Sequence, residues 1–235
     1  HSSFSFLDGA SSPEALAEEA ARLGLEALAL TDHDGFYGVV RFAEAARSVG
    51  LPTVFGTELT LDKLDVQPGQ PDPDGTHLLL LARDPKGYAA LSRIISEAQL
   101  AGEKGAPRCS FADLNRWAGY DELTHLVCLT GCRTSLVPRA LEQQGPAAAR
   151  RALGRLTDMF GADGVQVELW DHGSPLDSAR NDALVRLAAQ VGVGVVATNN
   201  VHYARPVNRR LAMAMAAVRA RRSLSEMDGW LAVAS

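Results

Sequence analysis

The feature of this sequence that most constrains its fold is the repeated alternation of short apolar runs with amphipathic helical patterns. The apolar runs predict strands over Ala27–Thr31, Thr53–Leu59, His77–Ala82, His125–Leu129, Val165–Leu169 and Gly194–Thr198. Strands that alternate with helices are typical of a parallel sheet with the helices packed outside it. We therefore predict an α/β fold, a barrel of roughly seven βα units, with an open doubly wound sheet as the alternative.

The helical patterns lie between these strands, and the first one carries its own start and stop signals. Ser12 is suited to cap the N-terminus, Pro13 to occupy the first turn and Gly24 to end the helix. Further helices are predicted over Val39–Val49, Tyr88–Leu100, Phe111–Trp117, Ala147–Phe160, Leu176–Val191 and Asn208–Ala220. Residues 62–75 are rich in Pro, Gly and Asp, which predicts a surface loop between two strands.

The composition argues against several classes of function. The net charge of −5 does not fit a basic surface that coats nucleic acid. No apolar run approaches the ~20 residues that a membrane span needs, so we expect no membrane partner. The three cysteines are too few for a disulfide framework, which favours a reducing cytoplasm. The chain starts at His1 without Met or a signal-peptide pattern, so we interpret it as a fragment with a seventh strand before His1.

Residues of the kinds that bind metals recur at the ends of the predicted strands, where a parallel barrel carries its chemistry. They are His33, Glu58, His77, Cys132, Glu168, His172 and His202, and His1 and Asp8 precede the first strand. Imidazole, carboxylate and thiolate groups are ligands of Zn²⁺, Mn²⁺ and iron. Asp32 and Asp34 could simply cap a helix, but histidine and cysteine are poor caps. The set as a whole therefore predicts a metal cluster.

Each of these residues also has a plainer interpretation when it is taken alone. His1 could be an exposed terminus, Asp8 a turn residue and His172 an exposed loop residue. Cys132 could be a small buried hydrophobe. His125, Cys109 and Cys128 are interpreted as structural, because the spacing of the cysteines fits no zinc ribbon.

The stretch ATNNVHYA, residues 197–204, raises a specific question about this cluster. A metal site at the end of a strand would use an acid two residues before His202, but position 200 is Asn. An amide oxygen can bind a hard cation, yet it carries no charge. At an effective dielectric of about 20, losing a carboxylate beside a dication weakens binding by several kcal/mol in order of magnitude. We therefore expect a metal site with one weakened ligand.

Seven stretches of the sequence together resemble a known family. They are HSSFSFLDGAS, LALTDHDGFYG, GTEL, THLLLLARDPKGYAALSRI, CLTGCR, VELWDHG and VVATNNVHY. The chain resembles the polymerase and histidinol phosphatase (PHP) domain at the N-terminus of bacterial family C DNA polymerases, in the branch that tolerates DNA damage. The resemblance covers essentially the whole chain. It implies a distorted seven-stranded βα barrel of the PHP type, truncated at the N-terminus, with the PHP domain over residues 1–204 and a C-terminal helix and junction over residues 205–235.

The resemblance also implies which residues bind metal. The matching positions are His1, Asp8, His33, Glu58, His77, Cys132, Asn200 and His202, with Asp32 as an orienting neighbour. Asn200 departs from the acid of the family's last motif. Up to three divalent ions of Zn or Mn type would bind there, and fewer in this chain, while the parent polymerase would use Mg²⁺. Arg133, next to Cys132, is a candidate phosphate contact.

Three functions remain open from the sequence. The resemblance implies a DNA-directed DNA polymerase as the parent protein, acting in replication and damage-tolerant repair synthesis. DNA and the polymerase domains after residue 235 would be its partners, and the altered ligand implies weak or no 3′→5′ exonuclease activity. The alternatives are a free-standing phosphoesterase of histidinol-phosphatase type and a non-catalytic structural or docking domain. Arg219, Arg221 and Arg222 either form the junction towards the polymerase domains or end a solvated helix.

Overall fold

The protein forms a six-stranded sheet in a computed structural model that describes residues 1–62 and 75–227. The strands are β1 Leu28–Leu30, β2 Thr53–Leu61, β3 Thr76–Ala82, β4 Leu126–Leu129, β5 Val165–Leu169 and β6 Gly194–Ala197. They follow one another across the sheet in chain order, as in a βα barrel. A doubly wound sheet reverses its order midway, so that alternative is wrong. Most of the predicted loop, residues 63–74, lies outside the described residues.

The direction of β3 differs from the prediction of a parallel sheet. β3 runs antiparallel to β2 and to β4, whereas the other neighbouring strands are parallel. A parallel connection needs a crossover, usually helical, and the sequence between β2 and β3 has no helical pattern. As a result, the start of β3 lies at the same edge of the sheet as the end of β2, with His77 paired to Thr60.

Seven of the nine α-helices in the described residues have bounds close to those predicted, whereas α5 and α6 were not predicted. The helices are α1 Pro13–Arg22, α2 Val39–Ser48, α3 Pro85–Ala101, α4 Phe111–Ala118, α5 Tyr120–Leu123, α6 Leu136–Gln144, α7 Pro146–Phe160, α8 Asp177–Val191 and α9 Arg209–Ala220. Within the described residues, no helix is both long and apolar enough to cross a membrane.

Helix α6 is an element that the sequence analysis did not predict. Pro138 lies near its start, and a proline inside a helical pattern usually argues against a helix. Here Ser135 is the N-cap, so Pro138 falls in the first turn, where no backbone N–H is required for the helical ladder.

The predicted cap of α1 is observed, since the hydroxyl of Ser12 accepts a hydrogen bond from the backbone N–H of Ala15 at 3.3 Å.

The hydrophobic core consists of two clusters on the helical side of the sheet. The larger one packs α3, α4, α7 and α8 against β2 to β5, around fully buried residues such as Leu80, Leu91 and Leu153. The smaller one packs α1 and α2 against β1, around Phe42 and Leu30. Buried apolar surface contributes about 25 cal/mol per Å², so these clusters fix the strands from which the polar residues project.

The segment of residues 1–11 connects the two outer strands of the sheet. The backbone nitrogen of His1 donates to the carbonyl of Val201 at 2.7 Å, and that of Ala10 donates to the carbonyl of His202 at 2.7 Å. At the other side, the backbone N–H of Ser2 donates to Asp32 at 2.6 Å. The N-terminal segment therefore bridges the ends of β1 and β6, and it brings its own polar residues to that edge.

Candidate metal centre

Seven of the predicted ligands converge at one edge of the sheet. They form three groups whose ligand atoms lie within 4.8 Å of one another. The groups are His1, His33 and Glu58; His1, Asp8 and His202; and Glu58, His77 and Cys132. His1 and Glu58 each belong to two groups, so the three form one continuous cluster. Metal binding by these residues remains a prediction, but the cluster has the ligand types that it requires.

Glu58 lies at the centre of the cluster. Its Oε1 is 2.5 Å from Nδ1 of His77 and 3.9 Å from Nδ1 of His33, and its Oε2 is 3.5 Å from Nε2 of His1. An isolated parallel β-bridge holds Glu58, on β2, beside His33. In this bridge the backbone N–H of Glu58 donates to the carbonyl of Asp32 at 3.2 Å. The Glu58 side chain is 5% exposed, so its negative charge is shielded from water.

Cys132 reaches Glu58 and His77 from the turn after β4. Its Sγ lies 3.4 Å from Nδ1 of His77. The reversed direction of β3 explains this contact: in a parallel sheet, the start of β3 would lie at the opposite edge from the end of β4. The prediction that His77 joins the cluster is therefore compatible with the structure only because the predicted strand direction was wrong.

Asp8 joins the cluster from the N-terminal segment and carries three cationic or potentially cationic neighbours. Its Oδ2 lies 3.2 Å from Nε2 of His33 and 3.1 Å from Nε2 of His202. Its Oδ1 accepts a hydrogen bond from Nη1 of Arg219, on α9, at 2.9 Å. The sequence analysis did not anticipate this contact of Arg219, and the alternative of a solvated helix end is wrong for this residue, because its side chain is only 23% exposed.

The electrostatics of the cluster favour charged ligands. Burial alone would raise the pKa of Glu58, but hydrogen bonds with His1 and His77 hold that pKa well below its usual value. Burial would likewise raise the pKa of Asp8, and the neighbouring His202 and His33 lower it strongly. Burial would lower the pKa of His1, yet the hydrogen bond and charge of Glu58 raise it overall. The two carboxylates are thus ionised, whereas the proton that Glu58 stabilises on His1 would have to leave before His1 could bind a metal ion.

Asp32 supports the cluster from behind without belonging to any of the three groups. Its carboxylate accepts hydrogen bonds from the backbone N–H and the hydroxyl of Ser2, at 2.6 and 2.7 Å, and from the hydroxyl of Ser5 at 2.8 Å. Ser5 Oγ in turn lies 3.1 Å from Nδ1 of His1. Asp32 is 2% exposed, and this network orients the imidazole of His1.

Asn200 lies in the turn after β6 in the left-handed backbone region, with φ of +43°. Asparagine and aspartate adopt this region more readily than other non-glycine residues. The backbone at position 200 therefore favours a short polar residue, with or without a charge. His202, two residues later, is the residue of this segment that joins the ligand groups described above.

A small, partly open pocket lies beside Cys132. Arg133, Trp170 and Arg180 line it, and Glu168 lies at its buried side. Arg133 donates to the carboxylate of Asp177 at 2.9 Å, and its guanidinium lies 5.7 Å from the centre of the Trp170 ring. Its side chain remains 43% exposed. The predicted phosphate contact therefore borders the cluster, but it is already paired with an acid.

Asp177 anchors this pocket, and the sequence analysis missed it. It is fully buried and accepts hydrogen bonds from Arg133, Arg180 and the backbone N–H groups of His172 and Ser174. Burial alone would raise its pKa, but these donors lower it. The sequence shows Asp177 only as an acid in the first turn of a helix, which is a common and uninformative position.

Two histidines that the sequence places near strand ends lie outside the three ligand groups. Nε2 of His172 is 2.8 Å from the backbone carbonyl of Asn199, and its ring packs against Trp170 with centroids 4.5 Å apart. Nδ1 of His125 lies 2.6 Å from the carboxylate of Asp84, the N-cap of α3. Both contacts are of a structural kind, as predicted for His125.

An unsatisfied polar atom of the cluster fits a bound cation. Nδ1 of His33 is buried, has no hydrogen-bond partner and lies 3.9 Å from Oε1 of Glu58. Leaving a buried polar atom without a partner costs about 1–3 kcal/mol, and it therefore needs an explanation. A divalent metal ion is a partner for such nitrogens, and the mixture of imidazole, carboxylate and thiolate suits Zn²⁺ or Mn²⁺ better than Mg²⁺.

The curated proteins that are similar to this chain include error-prone DNA polymerases. The chain is 58% identical over 233 residues to an error-prone DNA polymerase of Mycobacterium tuberculosis strain H37Rv, which covers 99% of this chain and 21% of that protein. It is 48% identical over 276 residues to an error-prone DNA polymerase of Nocardia farcinica, covering 100% of this chain and 24% of that protein. The chain thus spans about a fifth to a quarter of the length of these relatives.

Among solved structures, one from Bifidobacterium adolescentis, assigned as a metal-dependent phosphoesterase, superposes with a TM-score of 0.49 at 19% identity, covering 88% of this chain and 92% of that one. The family model of the PHP domain matches residues 1–172. Because that match covers more than half of its residues, the chain belongs to the PHP domain family.

Proposed function

We propose that this chain is the metal-binding PHP domain of an error-prone DNA polymerase, which acts in DNA replication and in damage-tolerant repair synthesis. The observation that carries the metal-binding part is the convergence of the three ligand groups on the shared residues His1 and Glu58. The cluster would bind divalent ions of Zn or Mn type. The parent protein would be a DNA-directed DNA polymerase that works in the cytoplasm, contacts DNA and uses Mg²⁺ for nucleotide transfer.

The share of each relative that the chain covers supports a polymerase parent. The matches extend over 99% of this chain but only 21% of the polymerase of Mycobacterium tuberculosis. A free-standing phosphoesterase would be expected to match relatives of its own length. The further polymerase domains, following residue 235, are therefore the partners that we propose for this domain, and residues 205–235 would form the junction towards them.

The residues of the cluster define what this domain could do with a phosphate ester. Metal ions bound there would supply hydroxide near neutral pH and stabilise the leaving oxygen. Glu58 and Asp8 would provide the negative charge that holds the cations, and the imidazoles would fix their positions. Asp32 would keep His1 oriented through Ser5. Arg133, at the rim of the pocket beside Cys132, would offer its exposed guanidinium to a phosphate.

We further propose that this hydrolytic capacity is weak or lost, and that the domain binds fewer than three metals. Asn200 supplies a neutral amide where an acidic ligand is expected, and a neutral oxygen is a poor bridge between two cations. The three ligand groups contain two carboxylates, those of Glu58 and Asp8. The lack of a third carboxylate at position 200 lowers the affinity of the cluster for cations. The 3′→5′ exonuclease activity of the parent would then be low.

Metal content tests this proposal. We would measure zinc and manganese per molecule by elemental analysis for the unaltered protein, for Asn200→Asp and for the matched control Asn200→Gly, which also tolerates a positive φ. We expect Asn200→Asp to gain at least one metal and Asn200→Gly to gain none. If all three bind the same number, Asn200 does not weaken the site, and release of nucleotides from primer ends becomes the decisive assay.

A further inference from the structure

The contact between Arg219 and Asp8 joins α9 to the ligand cluster. Nη1 of Arg219 donates to Oδ1 of Asp8 at 2.9 Å, although the two residues are far apart in the chain. Both side chains are largely shielded, with 23% of Arg219 and 14% of Asp8 exposed. An ion pair of this kind is stronger than a surface pair, because less water screens it.

Arg219 neutralises the negative charge of Asp8, which a metal ion would otherwise neutralise. Asp8 is the only carboxylate of the group that it forms with His1 and His202. Its other oxygen already faces His33 and His202, so Arg219 supplies the full positive charge on the remaining oxygen. A dication at this group would come close to the guanidinium, and like charges repel.

We propose that Arg219 is a built-in cation that competes with a metal ion for the group of His1, Asp8 and His202. Docking of α9 through Arg219 and metal binding at that group then oppose each other. By linkage, a metal that displaces Arg219 loosens α9, and an α9 held in place excludes the metal. The proposal rests on the metal-binding function proposed above, and it adds a regulatory connection to α9, which leads towards the C-terminal end of the chain.

A second observation fits this competition. Nε of Arg219 is buried without a hydrogen-bond partner, so the docked guanidinium is not fully satisfied where it lies. The contact between Arg219 and Asp8 offsets that cost only while no other cation neutralises the carboxylate of Asp8. Once a metal ion neutralises Asp8, the docked position of Arg219 loses its main favourable contact.

The test uses Zn²⁺ as the probe and the full-length protein stripped of metal. We would compare zinc binding by equilibrium dialysis for the unaltered protein, Arg219→Gln, the charge-retaining Arg219→Lys and the exposed control Arg210→Gln on the same helix. We expect Arg219→Gln to bind one Zn²⁺ about tenfold more tightly, within the usual range of coupling between sites. Arg210→Gln should behave like the unaltered protein, and Arg219→Lys should stay close to it. The gain should vanish in the double variant Arg219→Gln/Asp8→Asn.

Hydrogen exchange provides a second readout that does not depend on measured zinc affinity. We expect Zn²⁺ to accelerate amide exchange of α9, Arg209–Ala220, in the unaltered protein, and Arg219→Gln to show fast exchange without metal. Equal zinc affinity of the unaltered protein and Arg219→Gln, together with zinc-independent exchange of α9, would overturn the competition while leaving the metal centre intact. If neither protein binds zinc through Asp8, as judged by Asp8→Asn, the metal centre and the competition both fail.

Discussion

Nδ1 of His77 lies 2.5 Å from Oε1 of Glu58, and the same carboxylate faces His1 and His33. One carboxylate therefore serves histidines from three different parts of the chain. Because Glu58 is 3% exposed, water cannot replace it as a partner. We therefore expect Glu58 to matter both for metal binding and for the stability of the fold around it.

We predict that Glu58→Gln removes metal from two of the three groups and also destabilises the metal-free protein. The amide keeps the shape of the side chain but not the charge that stabilises the protonated form of His1. Removing one partner of a buried charged network costs about 3 kcal/mol in the free energy of unfolding. Elemental analysis and urea unfolding in the presence of a chelator would measure the two effects. The exposed Glu97→Gln should change neither, and an unaltered stability of Glu58→Gln would contradict the prediction.

We predict that Asp32→Asn impairs the centre without removing any of its proposed ligands. The carboxylate of Asp32 accepts three hydrogen bonds from Ser2 and Ser5, and an amide nitrogen in its place would face their donors. Unpaired buried donors cost about 2 kcal/mol of stability. Loss of an orienting neighbour typically lowers metal affinity about 10-fold to 100-fold.

Isothermal titration with Zn²⁺ and denaturant unfolding would check the effects of Asp32→Asn. The exposed Asp121→Asn is the matched control, since it makes the same chemical change away from the centre. A variant that keeps the zinc affinity of the unaltered protein would show that the network of Ser2 and Ser5 does not orient His1.

We predict that Cys132 is the cysteine of this chain that reacts with iodoacetamide in the native protein, and that Zn²⁺ protects it. Cys109 is buried, and its burial raises the pKa of its thiol to about 12. Burial also raises the pKa of Cys128 strongly. Cys132 is partly exposed, and its Sγ faces His77. The thiolate is the reactive form, so the other two cysteines should stay unmodified. Peptide mass spectrometry would locate the label, and labelling of Cys132 that zinc does not slow would argue against its role as a ligand.

The sequence predicted the strands well, because strands depend on local patterns, whereas the set of metal ligands remains a prediction. The direction of β3 was predicted wrongly, although the segment between β2 and β3, which has no helical pattern, already argued against a parallel crossover. The predicted cluster nevertheless includes His77, because the reversed strand brings its first residues to the edge where the other strands end.

The sequence analysis could not predict the contacts that Arg219 and Asp177 make with residues distant in the chain. Asp8 and Arg219 come together only after the whole sheet has formed between them, and nothing near Arg219 in the sequence distinguishes it from Arg221 or Arg222. The same contact crosses the predicted boundary after residue 204, so α9 takes part in the centre. Pairings of this kind follow from tertiary packing and not from any spacing along the chain.

We predict a pH dependence of stability that belongs to Glu168. Burial raises the pKa of Glu168 above its ordinary value of 4.5, and the charge of Glu58 adds to this, while a hydrogen bond from Thr198 at 2.5 Å opposes it. The folded protein therefore holds this proton more tightly than the unfolded chain. The stability that Glu168 contributes is fully present below its unfolded pKa and is lost as the pH rises through its folded pKa. Urea unfolding in chelator from about pH 4 to about pH 8 should show that the unaltered protein loses more stability with rising pH than Glu168→Gln does. Asp8 and Glu58, whose pKa values are lowered, and His1, whose pKa is raised, also make stability depend on pH, but they do so in both proteins, so the difference between the two curves isolates Glu168. Parallel curves for the two proteins would mean that Glu168 is ionised in the folded state and that its burial is offset by the donors around it.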